Sequence, residues 1–364
     1  MRAPTVDERR ALARAIALAE RARPSTAPNP AVGCVLLRDG DVVGEGVTHP
    51  PGGHHAEAAA LAAAGPRAAG ATACVTLEPC AHHGRTPPCA PALADAGVRR
   101  VVYAHADPHA LASGGADELR ARGVEVVGPD TVGGVFHHAV AAQLEGFLTV
   151  ATHERPHVTL KAAQTADGHL RPPDDRRWIT GPAARAAVHR WRAEVDAVLV
   201  GSGTVLADDP RLDVRLVSSR VQPRAVVLDR RLRTPPDAQV VARGALVLTA
   251  ADAPTGAEQA LRTAGADVRR LAADGSGWLA AAMATLAADG VRNLLAEPGA
   301  TLARAMLDAA VVDRLVLHVA DLGTGPARRA LTPPSGPGWA TERVGGAGPD
   351  LILQLRPCAA QEGR

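Results

Sequence analysis

One histidine, one glutamate and two cysteines carry the clearest chemistry in this sequence. His55-Ala56-Glu57 heads an alanine-rich run, Cys80 follows His55 by 25 positions, and Cys89 closes the segment TLEPCAHHGRTPPC. One imidazole and two thiolates are three tetrahedral zinc ligands; they leave a fourth position for water, the pattern of a catalytic zinc. Residues two apart on a helix do not face the same way, so with His55 on the metal Glu57 is directed beside it, placed to take a proton from the bound water. Zinc lowers the pKa of such water to roughly 7, which suits attack on an amidine-like ring carbon: hydrolytic deamination. Pro79 and Pro88 precede the two cysteines, and Cys89 opens a predicted helix, whose first amides favour a thiolate.

A structural zinc would need a fourth thiol or imidazole, for which Cys34, Cys74, His49, His54 and His83 are available. Glu57 would then have no role. Cys34 and Cys74 lie in apolar strand runs and read as small core residues; His49 and His54 read as rim residues, Cys358 as incidental. Five scattered cysteines suit reduced thiols or a metal better than a disulfide framework.

A second candidate cluster surrounds Lys161, the one lysine in a chain whose 40 basic residues are otherwise arginines. A compact ammonium on a flexible stem does what arginine cannot. Downstream, WITGPAARAAVHRWRAEVDAVLVGSGTVLADDPRLDVR combines a Gly-rich turn after a strand with several arginines, a composition that favours phosphate or dinucleotide. Trp178 and Trp191 could equally be core aromatics, Arg192 a solvated helix face, and Asp208-Asp209-Pro210 a simple turn.

The elements that must position these residues alternate. Thr5 and Glu8 form a capping box for a helix to about Arg23, ended by Pro24. Two apolar runs flank Asp39-Gly40 as a hairpin; a helix from His55 closes at Gly65, ATACVTL is a buried strand, a helix from Cys89 closes at Gly97, and RRVVYAH is another strand. This predicts a three-layer α/β domain over 1–148. The pattern restarts with strand HVTLKAA, helix PAARAAVHRWRAE, strands AVLVG, PRAVVLD and ALVLTA, and helix GWLAAAMATLAADG, giving a second α/β domain over 149–364. Residues 321–350, rich in Gly and Pro, read as loop before a last strand LILQLR.

Composition narrows the function classes. The 364 residues exceed one core, and near-balance of 40 basic against 38 acidic residues with only seven aromatics argues against nucleic acid, including a zinc-stabilised RNA-binding or RNA-editing protein. No stretch approaches the ~18 consecutive apolar residues of a membrane span, and no targeting segment is evident. A cytoplasmic enzyme acting on a small molecule is expected.

The H-x-E and paired-cysteine pattern resembles the zinc-dependent cytidine deaminase superfamily. Eight residues rather than two separate the cysteines, and AHHGRTPP between them, with PNPAVG (Pro28 to Gly33), is similar to one branch: the bifunctional deaminase–reductase family of riboflavin biosynthesis. The resemblance implies a cytidine deaminase-like domain followed by a dihydrofolate reductase-like domain, one Zn2+ per chain, NADPH, a phosphoribosylaminopyrimidine substrate and a homo-oligomer. It implies Asn29 and His82 at the deaminase substrate. In the second half, similar from about Pro156 to Val319, it implies Ala163, Trp178, Thr204 and Asp208 at the nicotinamide cofactor, with the pyrophosphate at the helix start Gly299, Ala300 and Thr301. Arg192, Leu212, Arg215 and Glu297, with Lys161, would hold the substrate, the arginines gripping a ribose phosphate. Departures are Arg176 where the family has serine, Glu297-Pro298-Gly299 in place of E-G-G, and a shortened loop after LVLHVA. They leave open a second reading: a deaminase carrying a degenerate, non-catalytic reductase domain.

Overall fold

The computed structural model describes residues 2–23, 25–82, 87–109, 113–170, 178–273, 275, 277–320 and 338–358. Pro24, His83, Arg176 and residues 321–337, including the loop after LVLHVA, lie outside these. The chain divides into two compact units, Met1–Glu154 and Arg155–Arg364, and the helix Glu145–His153 that ends the first unit spans residue 148.

The first unit opens with α1, Val6–Ala22. Thr5 Oγ1 accepts from Glu8 N at 3.2 Å while Glu8 Oε2 accepts from Thr5 N at 2.8 Å, a reciprocal cap that satisfies two otherwise orphaned donors. Its buried face, Leu12, Ala15 and Ala19 among others, lies on a five-stranded sheet. The strands are β1 Gly33–Arg38, β2 Asp41–Val47, β3 Thr72–Leu77, β4 Arg100–His105 and β5 Glu125–Val127, in the order β2-β1-β3-β4-β5. β1 is antiparallel to both neighbours; β3, β4 and β5 run parallel. The β1–β2 turn uses positive φ at Asp39 (54°) and Gly40 (89°), the type I′ requirement. β3 is buried at all six positions, as expected of an inner strand covered on both faces.

Helix α2, Ala56–Ala64, lies against β2 and β1. Its distance from β2 is set by missing side chains: a Cβ at Gly46 would stand 2.1 Å from the Ala56 carbonyl oxygen, and one at Gly44 2.4 Å from that of Ala60. The alanines of α2 and the glycines of β2 together hold the start of α2 close to the sheet. Helices α3, Cys89–Asp95, and α4, Gly115–Ala121, follow β3 and β4.

The second unit is built on nine strands: β6 His157–Thr165, β7 Ala197–Gly201, β8 Arg224–Leu228, β9 Leu246–Ala250, β10 Asp267–Leu271, β11 Asn293–Ala296, β12 Arg314–Ala320, β13 Trp339–Ala347 and β14 Asp350–Pro357. Their order is β10-β9-β8-β7-β11-β6-β12-β14-β13, parallel from β10 to β12 and antiparallel for the last two. β7 to β10 step outward in one direction, and the chain returns to insert β11 between β7 and β6. Connections diverge there, the place where open α/β sheets bind ligands at their carboxyl ends.

The expected loop over 321–350 is corrected in its described part. Trp339–Ala347 is a strand paired antiparallel with β14 through a turn at Gly348, φ 65°. Its Gly345-Gly346 pair reads as loop in isolation, but pairing along β14 holds it extended.

Candidate active sites

The ends of three elements make the first site. β3 runs into Glu78-Pro79-Cys80, α3 begins at Cys89, and His55 is the residue that precedes α2. In that position His55 has extended backbone (φ −70°, ψ 161°), and its ring does not cap the helix. His55 Nδ1 lies 3.7 Å from Cys80 Sγ and 3.4 Å from Cys89 Sγ, and the three ligand atoms are all within 4.8 Å of one another. Tetrahedral zinc with bonds of about 2.3 Å to sulfur and 2.0 Å to nitrogen needs N···S separations of about 3.6 Å, so the donor set fits. Among the described residues this is the one group of three such side chains. Cys34 and Cys74, buried in β1 and β3, are core residues and do not belong to it.

The electrostatics favour a cation. The Cys80 thiol is lowered to about 4, chiefly by a hydrogen bond from the Cys89 thiol and against the effect of burial, with further help from His55 and the Cys89 amide. The same thiol–thiol bond, with burial, holds Cys89 far above its ordinary value: two neighbouring buried sulfurs retain a proton between them unless a metal replaces it. Glu57, buried in the first turn of α2, is raised to about 7 by burial and then by the Cys80 charge. Hydrogen bonding to Cys80 raises His55.

Asn29 is half-buried in the turn closed by its own N–H to Thr26 O at 2.9 Å. That turn leads into β1, where Gly33 N donates to Thr76 Oγ1 on the strand that delivers Cys80. His82 is exposed, two residues past Cys80. Sequence reasoning overlooked Glu78. Its buried carboxylate accepts N–H bonds from Asp107 (3.3 Å), Gly114 (3.2 Å) and Ala116 (3.0 Å), tying the segment after β4 and the start of α4 to the Cys80 loop. An acid wedged between a buried strand and Pro-Cys was the available signal.

In the second unit a cleft of about 1630 Å³ opens at the carboxyl ends of the parallel strands. β6 contributes Lys161 and Ala163, and the helix Ser202–Asp208 contributes Thr204 and Asp208. Gly299, Ala300 and Thr301 open the helix Ala300–Asp308, whose start carries no side-chain cap, leaving its first amides to a ligand. Trp178 is on the rim, 47% exposed, and is not a core aromatic; Trp191 is half-buried and packs into the core. The cleft is also lined by Arg230, Arg231, Arg233 and Trp278, none of which sequence reasoning selected.

The remaining expected residues gather beside Lys161. Arg192 is buried rather than on a solvated helix face; it donates Nε and Nη2 to Glu297 at 2.7 and 3.0 Å and Nη1 to the Asp213 carbonyl at 3.0 Å. Leu212 is buried with a left-handed backbone, φ 54°. Arg215 donates its backbone N–H to His189 Nδ1 at 3.2 Å and its guanidinium to Asp213. His189 is held down to about 4 by burial and by Arg192 and Arg215. Burial lowers Lys161, while Glu297 opposes this. His189 and Asp213 are contributors that sequence reasoning missed.

A His-Cys-Cys centre beside a buried glutamate on one unit, and a nucleotide-sized cleft with an uncapped helix start on the other, define a metal-dependent deaminase and a dinucleotide-dependent reductase on one chain. Comparison with known proteins agrees. Residues 5–105 match the cytidine and deoxycytidylate deaminase zinc-binding region, and residues 156–351 match the RibD C-terminal domain. The riboflavin biosynthesis protein RibD of Mycobacterium tuberculosis (strain ATCC 25618 / H37Rv) is 38% identical, with 96% of this chain and 97% of that protein covered. The solved structure of Acinetobacter baumannii RibD, form 1, is 36% identical with a TM-score of 0.85, covering 97% of this chain and 99% of that one. A diaminohydroxyphosphoribosylaminopyrimidine deaminase/5-amino-6-(5-phosphoribosylamino)uracil reductase from Thermotoga maritima is 31% identical with a TM-score of 0.82, covering 97% and 99%.

The chain belongs to the RibD family. It is a bifunctional enzyme of riboflavin biosynthesis, with a zinc-binding deaminase domain of cytidine deaminase-like fold and an NADPH-dependent reductase domain. The alternative of a degenerate reductase is not supported: the C-terminal family match covers residues 156–351 of the cleft-bearing unit. No described helix is long and apolar enough to cross a membrane.

Proposed function

We propose that His55, Cys80 and Cys89 hold the zinc and that Glu57 is the proton carrier of the deaminase step. The substrate is 2,5-diamino-6-(5-phosphoribosylamino)pyrimidin-4(3H)-one, following the activity named for the Thermotoga maritima relative. When bound, zinc supplies a water of lowered pKa as the nucleophile. Glu57 takes the proton of that water and delivers it to the departing 2-amino group. Burial disfavours the charged form of the Glu57 carboxyl, which helps it to take up a proton and pass it on. Asn29 and His82 contact the pyrimidine and its ribose, and Glu78 ties Asp107 and the start of α4 to the strand end that leads into Cys80.

In the reductase step NADPH supplies hydride to the ribosyl chain, giving ribityl. Gly299, Ala300 and Thr301 receive the pyrophosphate. Ala163, Trp178, Thr204 and Asp208 border the nicotinamide half, and positioning against the sugar carbon is their main task. Arg215 and Leu212 hold the phosphoribosyl group, with Arg192, Glu297 and Lys161 as a buried charged floor. The enzyme works on a small molecule in the cytoplasm as a homo-oligomer.

The observation that carries this reading is the His55–Cys80–Cys89 cluster with buried Glu57 beside it. Its test is ammonia release from the diaminopyrimidine followed by loss of NADPH absorbance. Arg215→Ala should raise KM for the reductase substrate by about 10- to 100-fold with little change in NADPH affinity. Unchanged KM would remove Arg215 from the substrate site.

A further inference from the structure

We propose that Gln222 and His189 are positioning residues of the reductase: they grip the main chain of Val214 and Arg215 from two sides, so that Arg215 meets the substrate phosphate from a backbone already set. The inference rests on the reading of Arg215 as a substrate residue. Residues 209–215 lie in no helix or strand, and such a segment has no ladder to hold it. Asp213 and Val214 are nonetheless buried, where main-chain N–H and C=O groups must find partners other than bulk water.

Side chains supply those partners. Gln222 Oε1 accepts the Val214 N–H at 2.8 Å, and Gln222 Nε2 donates to the Val214 carbonyl at 3.0 Å. This is the exchange of two bonds that one residue of an antiparallel strand pair makes with another. The next amide, that of Arg215, donates to His189 Nδ1, and the preceding carbonyl, that of Asp213, accepts from Arg192. Arg243 closes the neck of the loop: its Nη1 donates to the Arg211 carbonyl at 2.7 Å and its Nη2 to the Pro223 carbonyl at 3.3 Å.

The two positioning side chains are themselves fixed. Gln222 precedes Pro223, which biases its backbone toward an extended form, and β8 starts one residue later at Arg224. His189 stands three positions before Arg192 on the helix Pro182–Arg192, so the two share a face. Burial and the guanidiniums of Arg192 and Arg215 keep the His189 ring neutral, and Nδ1 retains the lone pair that the Arg215 amide needs. At Arg215 the segment reaches the surface: its side chain is 44% exposed and tethered by Asp213, which also accepts from Arg211 Nε at 2.9 Å. A guanidinium on a fixed main chain loses less freedom on binding an anion than one on a mobile loop, and the difference appears as substrate affinity.

The test uses the full-length zinc-loaded enzyme in the reductase step. KM for the deaminated substrate, kcat and Kd for NADPH are measured for the unaltered protein, for Q222A, H189F, H189N and R215A, and for Q222A combined with R215A. Q222A and H189F should each raise KM by about 10-fold with kcat and NADPH affinity unmoved. H189N, whose Oδ1 can stand where Nδ1 does, should restore most of the loss; a packing role alone would favour the Phe variant, which is nearer to His in size. In the R215A background Q222A should add no further rise, because it acts through Arg215. Unchanged KM in either Q222A or H189F beside a raised KM in R215A would overturn the inference and leave the substrate reading of Arg215 standing. So would a further rise from Q222A in the R215A background, or kcat and NADPH affinity lost together with KM. Unchanged KM in R215A would overturn both.

Discussion

The backbone N–H of Cys89 donates to the sulfur of Cys80 at 3.4 Å. The helix that begins with one of the two clustered cysteines thus caps the other, and Ala90 N, bonded to Cys80 O at 3.1 Å, repeats the link one residue on.

Cys89→Ser should damage the centre by removing a thiolate while leaving the backbone bond to Cys80 in place. Zinc content by mass spectrometry should fall close to zero and ammonia release should vanish, while NADPH oxidation with the deaminated substrate persists. Chelation of the unaltered enzyme should reproduce this split. If reductase activity disappears together with zinc, the metal serves the whole chain rather than the deaminase unit.

Glu57→Gln keeps the shape of the side chain and removes its proton chemistry. Zinc stoichiometry should stay at one per chain, and ammonia release should drop by about 10²- to 10⁴-fold. Near-normal turnover would show that another group moves the proton.

At Gly46 a methyl group would meet the Ala56 carbonyl. Gly46→Ala should push the start of α2 off β2, destabilise the unit by about 1–3 kcal/mol, and weaken zinc retention because His55 and Glu57 ride on that helix. Melting temperature and zinc dissociation rate, measured together, should both shift. An unchanged zinc dissociation rate would show that the helix start does not control the centre.

His318 is fully buried on β12, packed edge-on to Trp191 with ring centroids 5.4 Å apart, and neither ring nitrogen has a partner among the described residues. Burial first, then the Lys161 ammonium, lowers its pKa to about 4, against a smaller opposing effect of Glu297. An unfolded histidine titrates near ~6.5, so the unfolded chain takes up the proton first. The stability associated with neutral His318 is present above that pH and is lost as pH falls from ~6.5 toward 4, by up to about 3 kcal/mol. His318→Phe should flatten the fall in denaturation midpoint across that window; a slope identical to the unaltered protein would assign the acid sensitivity elsewhere.

The His55–Cys80–Cys89 cluster was legible because its members announce themselves locally: His-Ala-Glu at a helix start and a proline before each cysteine are short-range signals. Glu78, His189 and Asp213 were not, because each acts on backbone brought near only by the fold. Arg192 shows the limit well, since a helix face rich in arginine gives no hint that Glu297, 105 residues on, accepts two of its bonds. Among the strands, β10 was hidden by Arg269 and Arg270, which turn outward to Asp289 and Glu258 at the sheet edge, and β13 by its glycines. Alternation and capping carried α1, the Asp39-Gly40 turn and the long strands and helices, while short elements such as β5 and β11 gave too few residues for a pattern.

Lys161 lines the reductase cleft and is the sole lysine of the chain. Apart from the terminal amine, the protein thus offers amine-directed reagents one address, and that address is inside the cleft. Acylation or reductive alkylation becomes an occupancy gauge for whatever fills the cleft. Immobilisation through lysine would cripple the reductase while leaving the rest of the surface untouched.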